Sequence, residues 1–211
     1  MNISENTEGS LMLCSLTQSV RDEEPLKHKT FESQSASCHA FDKADIYGCT
    51  FKSCDLSSCS FRNGIFTDVT FESCDLSSCD FSKAYFGNVE FIACRMTGAV
   101  FSECGMKACS VSQCACGYCR FDGAALEKTA FCGCRMENAV FTNGIFKKPV
   151  FKDCGLSRCD FMGCELKGVD FTSDMLSGCY IDLSKIRGAV FSPDQAVMLI
   201  KTLGAKVKED F

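Results

Sequence analysis

Cysteine is the residue type with the most chemistry to offer here, at nineteen of 211 positions. Thiols so abundant can build a disulfide framework or ligate a soft metal. Their placement argues against both. Sixteen of the nineteen fall at numbers ending in 4 or 9, and the exceptions are Cys38, Cys116 and Cys132. A bridge framework does not follow a packing period, and a tetrahedral metal site needs clustered Cys and His, not a long column. One such column is Cys54, Cys74, Cys94, Cys114, Cys134 and Cys154. Its neighbours stand at a Cα separation that permits bridging, about 4.4–6.8 Å, but parallel side chains point the wrong way for it. These residues read as small, reduced, buried hydrophobes. Cys132 points outward and is the best candidate for a reactive thiol.

The remaining residues offer little catalysis. Only His28 and His39 are present, and no Ser/His/Asp arrangement or phosphate-cradling Gly loop is visible. His39 falls at a small, inward position and reads as a partly buried end residue. Gly98 and Gly168 fall at corners, where positive φ is useful. The reading is of a non-enzyme with no cofactor and no metal. Asp45, Asp55, Asp75, Asp80, Asp160 and Asp170 all precede the inward positions and point outward. Each alone is a solvated turn residue, and together they suit a basic binding surface.

The element that must position all of these is a five-residue repeat. Thirty-three positions from Phe31 to Phe191 carry numbers ending in 1 or 6, and eighteen of them are Phe. The other fifteen are Leu, Ile, Met, Val, Ala or Cys. A period of five fits neither helix nor strand and marks a repeat architecture. Longer identities recur at multiples of 20: Ser53–Cys59 as Ser73–Cys79, Cys94-Arg95-Met96 as Cys134-Arg135-Met136, and Asn63–Phe66 as Asn143–Phe146. Four pentapeptides therefore make one turn of a four-sided coil. One face carries the Phe31–Phe191 column and its opposite the Phe41–Phe161 column. Between them, Ala36, Leu56, Leu76, Met96, Cys116 and their successors supply smaller groups for interdigitation. At the ~4.8 Å spacing of hydrogen-bonded strands, about eight coils reach roughly 40 Å.

The ends differ from the middle. Residues 1–30 are acidic and Ser-rich and read as an N-terminal cap or irregular first coil; Leu11 and Leu16 are already in register, and Cys14-Ser15-Leu16-Thr17 looks like one repeat. The β-helix spans 31–192. In 193–211, Ser192, Pro193 and Gln195 form a helix start with a capping box, Ala196, Leu199, Ile200 and Leu203 follow at helical spacing, and Gly204 is placed to end the helix. Val207 could add a short strand. No apolar run approaches the ~20 residues of a membrane span, and the N-terminus lacks the basic start of a signal peptide. A soluble, cytoplasmic protein is expected. Its net charge of −5 excludes binding nucleic acid through phosphate contacts over the whole molecule.

Cys-Asp-Leu-Ser-Ser and Cys-Asp-Phe-Ser-Lys resemble the pentapeptide-repeat pattern of small, Asn/Asp, Leu/Phe, Ser/Thr/Arg, any. The resemblance covers roughly residues 30–192 and implies an all-β solenoid, a right-handed quadrilateral β-helix. Residues 195–207 are similar to the end of the quinolone-resistance pentapeptide proteins. That resemblance implies a homodimer formed through Ala196, Leu199, Ile200 and Leu203. It also implies a type II topoisomerase partner, DNA gyrase or topoisomerase IV, bound in part by mimicry of duplex DNA; the alternative is a scaffold for an unrelated protein. Charge is uneven along the coil. Residues 31–90 hold nine acids and four bases, 91–152 hold four acids and eight bases, and 153–191 hold six acids and four bases. A strong mimic is acidic along its length, and the unbroken register leaves no projecting loops.

Overall fold

A computed structural model describes residues 8–202 and 204–208. The pentad follows from backbone geometry. Every position ending in 3 or 8 from Glu23 to Gly168 lies in the left-handed region, with φ between +50° and +79°. Each pentad is thus a short extended segment followed by a left-handed residue that turns the chain to the next side. The expected positive φ at Gly98 and Gly168 is present. Most of these corners are not glycine, and each non-glycine left-handed residue costs roughly 1–2 kcal/mol. The cost is offset because the corner amides bond to the next coil, as from Ser53 to Glu72 and from Lys83 to Ser102.

The turns stack in parallel at a shift of 20 residues. One face is a seven-stranded sheet running from Leu26–Lys27 to Ile145–Lys147, and the next is a seven-stranded sheet from Thr30–Glu32 to Val150–Lys152. The third and fourth faces are ladders of single bridges, Ser35 to Met175 and Ala40 to Tyr180. Seven strands per sheet enclose about six turns, fewer than the eight coils expected. Beyond Lys152 the chain continues the winding by isolated bridges instead of strands.

Inside, the rings pile up as the period requires. Phe51, Phe71 and Phe91 stack with centroids 5.0 and 5.2 Å apart, and Phe61, Phe81 and Phe101 with 5.4 and 5.0 Å. Phe66 and Phe86 meet Phe81 edge-on at 5.8 and 5.6 Å, so adjacent columns interlock. Such pairs add about 0.5–1.5 kcal/mol to the burial of the rings.

Two helices close the tube. Helix α1, Glu8–Asp22, lays Met12 and Leu16 on the first coil. The segment Cys14-Ser15-Leu16-Thr17, which reads as a repeat, is helical instead, and Leu11 points outward. Helix α2, Pro193–Thr202, starts as expected: Gln195 N–H donates to Ser192 Oγ at 3.3 Å and Ser192 N–H to Gln195 Oε1 at 2.8 Å. Gly204 follows with φ +82°, and Val207 adds no strand.

Candidate interaction surfaces

The thiols have a single structural task. Every buried Cys at a position ending in 4 or 9 except Cys104 donates its S–H to the carbonyl 23 residues earlier, for example Cys79 to Leu56 at 2.9 Å and Cys119 to Met96 at 2.9 Å. Thr129 does the same to Met106 at 3.1 Å with a hydroxyl. The column therefore needs a small side chain with a donor, which Cys supplies. Burial pushes the Cys59 and Cys164 thiols up to about 11, away from the thiolate. Cys116 lies in the core and Cys132 is half-buried. Among the described residues, no group of three or more His, Cys, Asp or Glu could hold a metal ion. His39 is exposed, not partly buried: the imidazole is too large for the small column, and it turns out to meet the Ser37 carbonyl at 2.7 Å.

With rings filling the interior, function is left to the outer faces. The six aspartates are distributed over several of them. Asp45 stands on the first sheet, Asp55 and Asp75 stack on the third face, Asp80 and Asp160 lie on the fourth, and Asp170 follows the second sheet. Most are turn-formers. Asp55 Oδ1 accepts from Ser57 N–H at 3.0 Å, Asp80 from Ser82 N–H at 2.9 Å, and Asp160 and Asp170 repeat the motif with Met162 and Thr172. Two are neutralised by arginine. Arg95 bonds Asp75 and holds its carboxyl down at about 2, and Arg62 reaches Asp80 at 2.5 Å. The N-terminal half also presents Glu32, Asp68 and Glu90, none of them ion-paired among the described residues.

At the far end, the 3-10 helix Leu183–Lys185 and α2 frame an apolar groove of about 240 Å³ lined by Leu183, Ile186, Phe191, Ala196, Leu199 and Ile200. Of the residues named for pairing, Leu199 is buried in the cap, Ala196 is half-buried, and Ile200 is 47% exposed. Leu203 lies outside the described residues.

One buried group was not anticipated. Asp174 continues the Cys54–Cys154 column by one rung, and Gln195 donates to its carbonyl at 2.8 Å and to that of Phe171 at 2.7 Å. The available signal was its number: a charged residue at a position ending in 4, where the other coils place small apolar groups.

A four-sided solenoid with a closed core and two capping helices is the architecture of a surface-presenting repeat protein. Residues 64–141 match the model of the pentapeptide repeat region. The chain resembles, in fold, a trypsin-treated variant of QnrB1, a plasmid-mediated fluoroquinolone resistance protein, at 21% identity and TM-score 0.50, covering 88% of this chain and 99% of that one. HetL, a pentapeptide repeat protein involved in heterocyst differentiation regulation from the cyanobacterium Nostoc, is 12% identical over 90% of this chain and 94% of its own, at TM-score 0.37. No curated protein sequence matches the chain. The five-residue register continues on both sides of the 64–141 match, from Phe31 to Phe191. No described helix is long and apolar enough to cross a membrane.

Proposed function

We propose that this protein is a non-enzymatic interaction module that presents a rigid, acidic rod to a basic protein partner. The observation that carries the reading is the division of labour in each pentad: the inward residues are used up in packing, while the outward carboxylates of the N-terminal half, Glu32, Asp45, Asp68 and Glu90 among them, stand on a frame hydrogen-bonded on every side. Such a frame holds charges at fixed spacing without an ordering cost on binding. The resemblance to quinolone-resistance proteins makes DNA gyrase and topoisomerase IV the first partners to test. Purified protein is added to a gyrase supercoiling assay with and without ciprofloxacin. Protection of supercoiling supports a topoisomerase partner; unchanged inhibition leaves a scaffold for an unrelated protein as the reading.

The same proposal includes a homodimer through the C-terminal groove. An apolar channel with a half-exposed Ile200 at its rim is the type of surface that twofold pairing covers. Light scattering of the full chain decides it, since a monomeric mass at micromolar concentration rejects the pairing.

A further inference from the structure

The edge between the two sheets changes character along the coil. In the N-terminal half its corner holds Asp68 and Asn88, joined by a 2.7 Å hydrogen bond. From the sixth coil onward the same edge holds Lys128, Lys147, Lys148 and Lys152, all exposed. Glu127 is the one acid among them; it lies 4.0 Å from Lys107 and 4.0 Å from Lys147, so both contacts are loose. Lys128, Lys148 and Lys152 have no ion-pair partner among the described residues.

This basic edge coincides with a break in the tube. Both sheets end at Ile145–Lys147 and Val150–Lys152. No backbone hydrogen bond joins residues 145–153 to 164–173, whereas the third and fourth faces remain bonded there, as from Met175 to Cys154 and from Tyr180 to Cys159. The Phe column widens at the same place, from 5.2 Å between Phe131 and Phe151 to 5.8 Å between Phe151 and Phe171. A crevice of about 330 Å³ opens beside Pro149, Val150, Lys152, Gly168 and Thr172. Asp170 also lines it, with its Oδ1 already engaged by the Thr172 amide and hydroxyl at 2.9 and 2.7 Å. Two apolar side chains flank the cations: Ile145, 56% exposed, and Val150, 49% exposed.

We propose that this edge is a second docking surface, for an acidic polypeptide segment that also carries apolar side chains. Four cations with little internal neutralisation supply complementarity to carboxylates. Ile145, Val150 and the crevice beside them supply apolar contacts that a phosphodiester backbone does not use. The cluster also lacks what a nucleic-acid surface relies on: it has no arginine fork, no aromatic platform for a base, and it lies on a convex corner. The acidic and basic halves of one rod thus face partners of opposite charge.

The test uses the full-length chain and a fluorescein-labelled peptide of about twelve residues alternating Glu with Leu, read by anisotropy. Saturable binding that weakens as salt is raised is expected, with a loss of about tenfold or more in Lys147→Glu/Lys148→Glu. Lys43→Glu/Lys83→Glu, at the other end, should leave it unchanged. If the first double variant does not fold, Ile145→Ser/Val150→Ser provides the same test through the apolar arm and should weaken the Glu/Leu peptide more than a poly-Glu peptide. Absent binding, equal binding by the edge variants, or tighter binding of a duplex oligonucleotide than of the peptide overturns the proposal.

Discussion

Asp174 stands where each of the six preceding coils places a thiol, and its Oδ1 accepts the Cys154 amide at 2.7 Å. Elsewhere in that column the amide meets sulfur, as Cys94 N–H meets Cys114 Sγ at 3.3 Å. The carboxylate therefore substitutes for sulfur as acceptor at the last rung, where the sheets have already ended. Its other oxygen, Oδ2, is buried without a partner. Gln195 of α2 binds the backbone carbonyl of the same residue. The last coil is thus fastened to the solenoid above through a side chain and to the cap below through its main chain.

That fastening is pH-dependent. Burial raises the Asp174 carboxyl to about 6, above its ordinary value. Between the ordinary carboxylate range and 6, the folded state holds more protons than the unfolded one, so stability falls as pH rises through that window and levels above it. Urea unfolding at pH 5 and pH 7 should show the protein more stable at pH 5 by about 1 kcal/mol. Asp174→Asn should abolish the difference. The carboxyl of Asp75, held down by Arg95, works in the opposite direction and only at lower pH, as the protein is acidified towards 2. A flat profile between pH 5 and pH 7 for the unmutated chain refutes the assignment.

The Phe columns make a graded prediction. Phe81 is fully buried between Phe61 and Phe101, so Phe81→Ala leaves a cavity and should cost about 3–5 kcal/mol. Phe146 is only half-buried, in the strand that ends its sheet, and Phe146→Ala should cost less than half of that. Equal losses in denaturant midpoint would mean that the rings do not act as a packed column.

The thiols separate packing from reactivity. Cys14, Cys38 and Cys132 are exposed or half-buried and the other sixteen are buried. A chromogenic disulfide reagent at neutral pH should titrate at most these three quickly, and the remainder only on unfolding. Cys79→Ala removes the donor to the Leu56 carbonyl and should cost about 1 kcal/mol, whereas Cys79→Ser keeps a donor there and should cost no more. More than three fast thiols in the native protein would contradict the buried column.

The core was legible because the same number series fixes both the inward side chain and the left-handed corner two residues later. Phe51, Phe71 and Phe91 stack because nothing between them departs from five. The ends were less legible. Leu11 and Leu16 are five apart and read as repeat positions, but the helix buries Met12 and Leu16, four apart, and turns Leu11 out. The capture of the aspartates by Ser57, Ser82 and Arg95 depends on neighbours in adjacent sides and coils, which the period does not display. The end of the sheets after Lys152 left no mark on the period, because residues 153–191 keep the register while losing the strand pairing of the two sheets.

Loss of those bonds determines where the molecule opens first. The segment 164–191 is bonded to the preceding coil on the third and fourth faces, through pairs such as Leu156 to Met175 and Phe161 to Tyr180, and elsewhere through side chains, those of Ser173, Asp174 and Lys185, whose Nζ donates to the Gly163 carbonyl at 2.9 Å. Opening there breaks fewer hydrogen bonds than at any coil between Phe51 and Phe131, whose strands pair on both sides. Hydrogen exchange should therefore show the amides of Asp153 and Cys154, which have only side-chain acceptors, protected far less than those of Ser73 and Ala93, which bond to backbone carbonyls of the next coil. Asp174→Asn should hasten exchange at Cys154 and leave Ser73 unaffected. If instead Cys154 exchanges as slowly as Ser73, opening at this end is as costly as opening the middle, and the break in the sheets has no dynamic consequence.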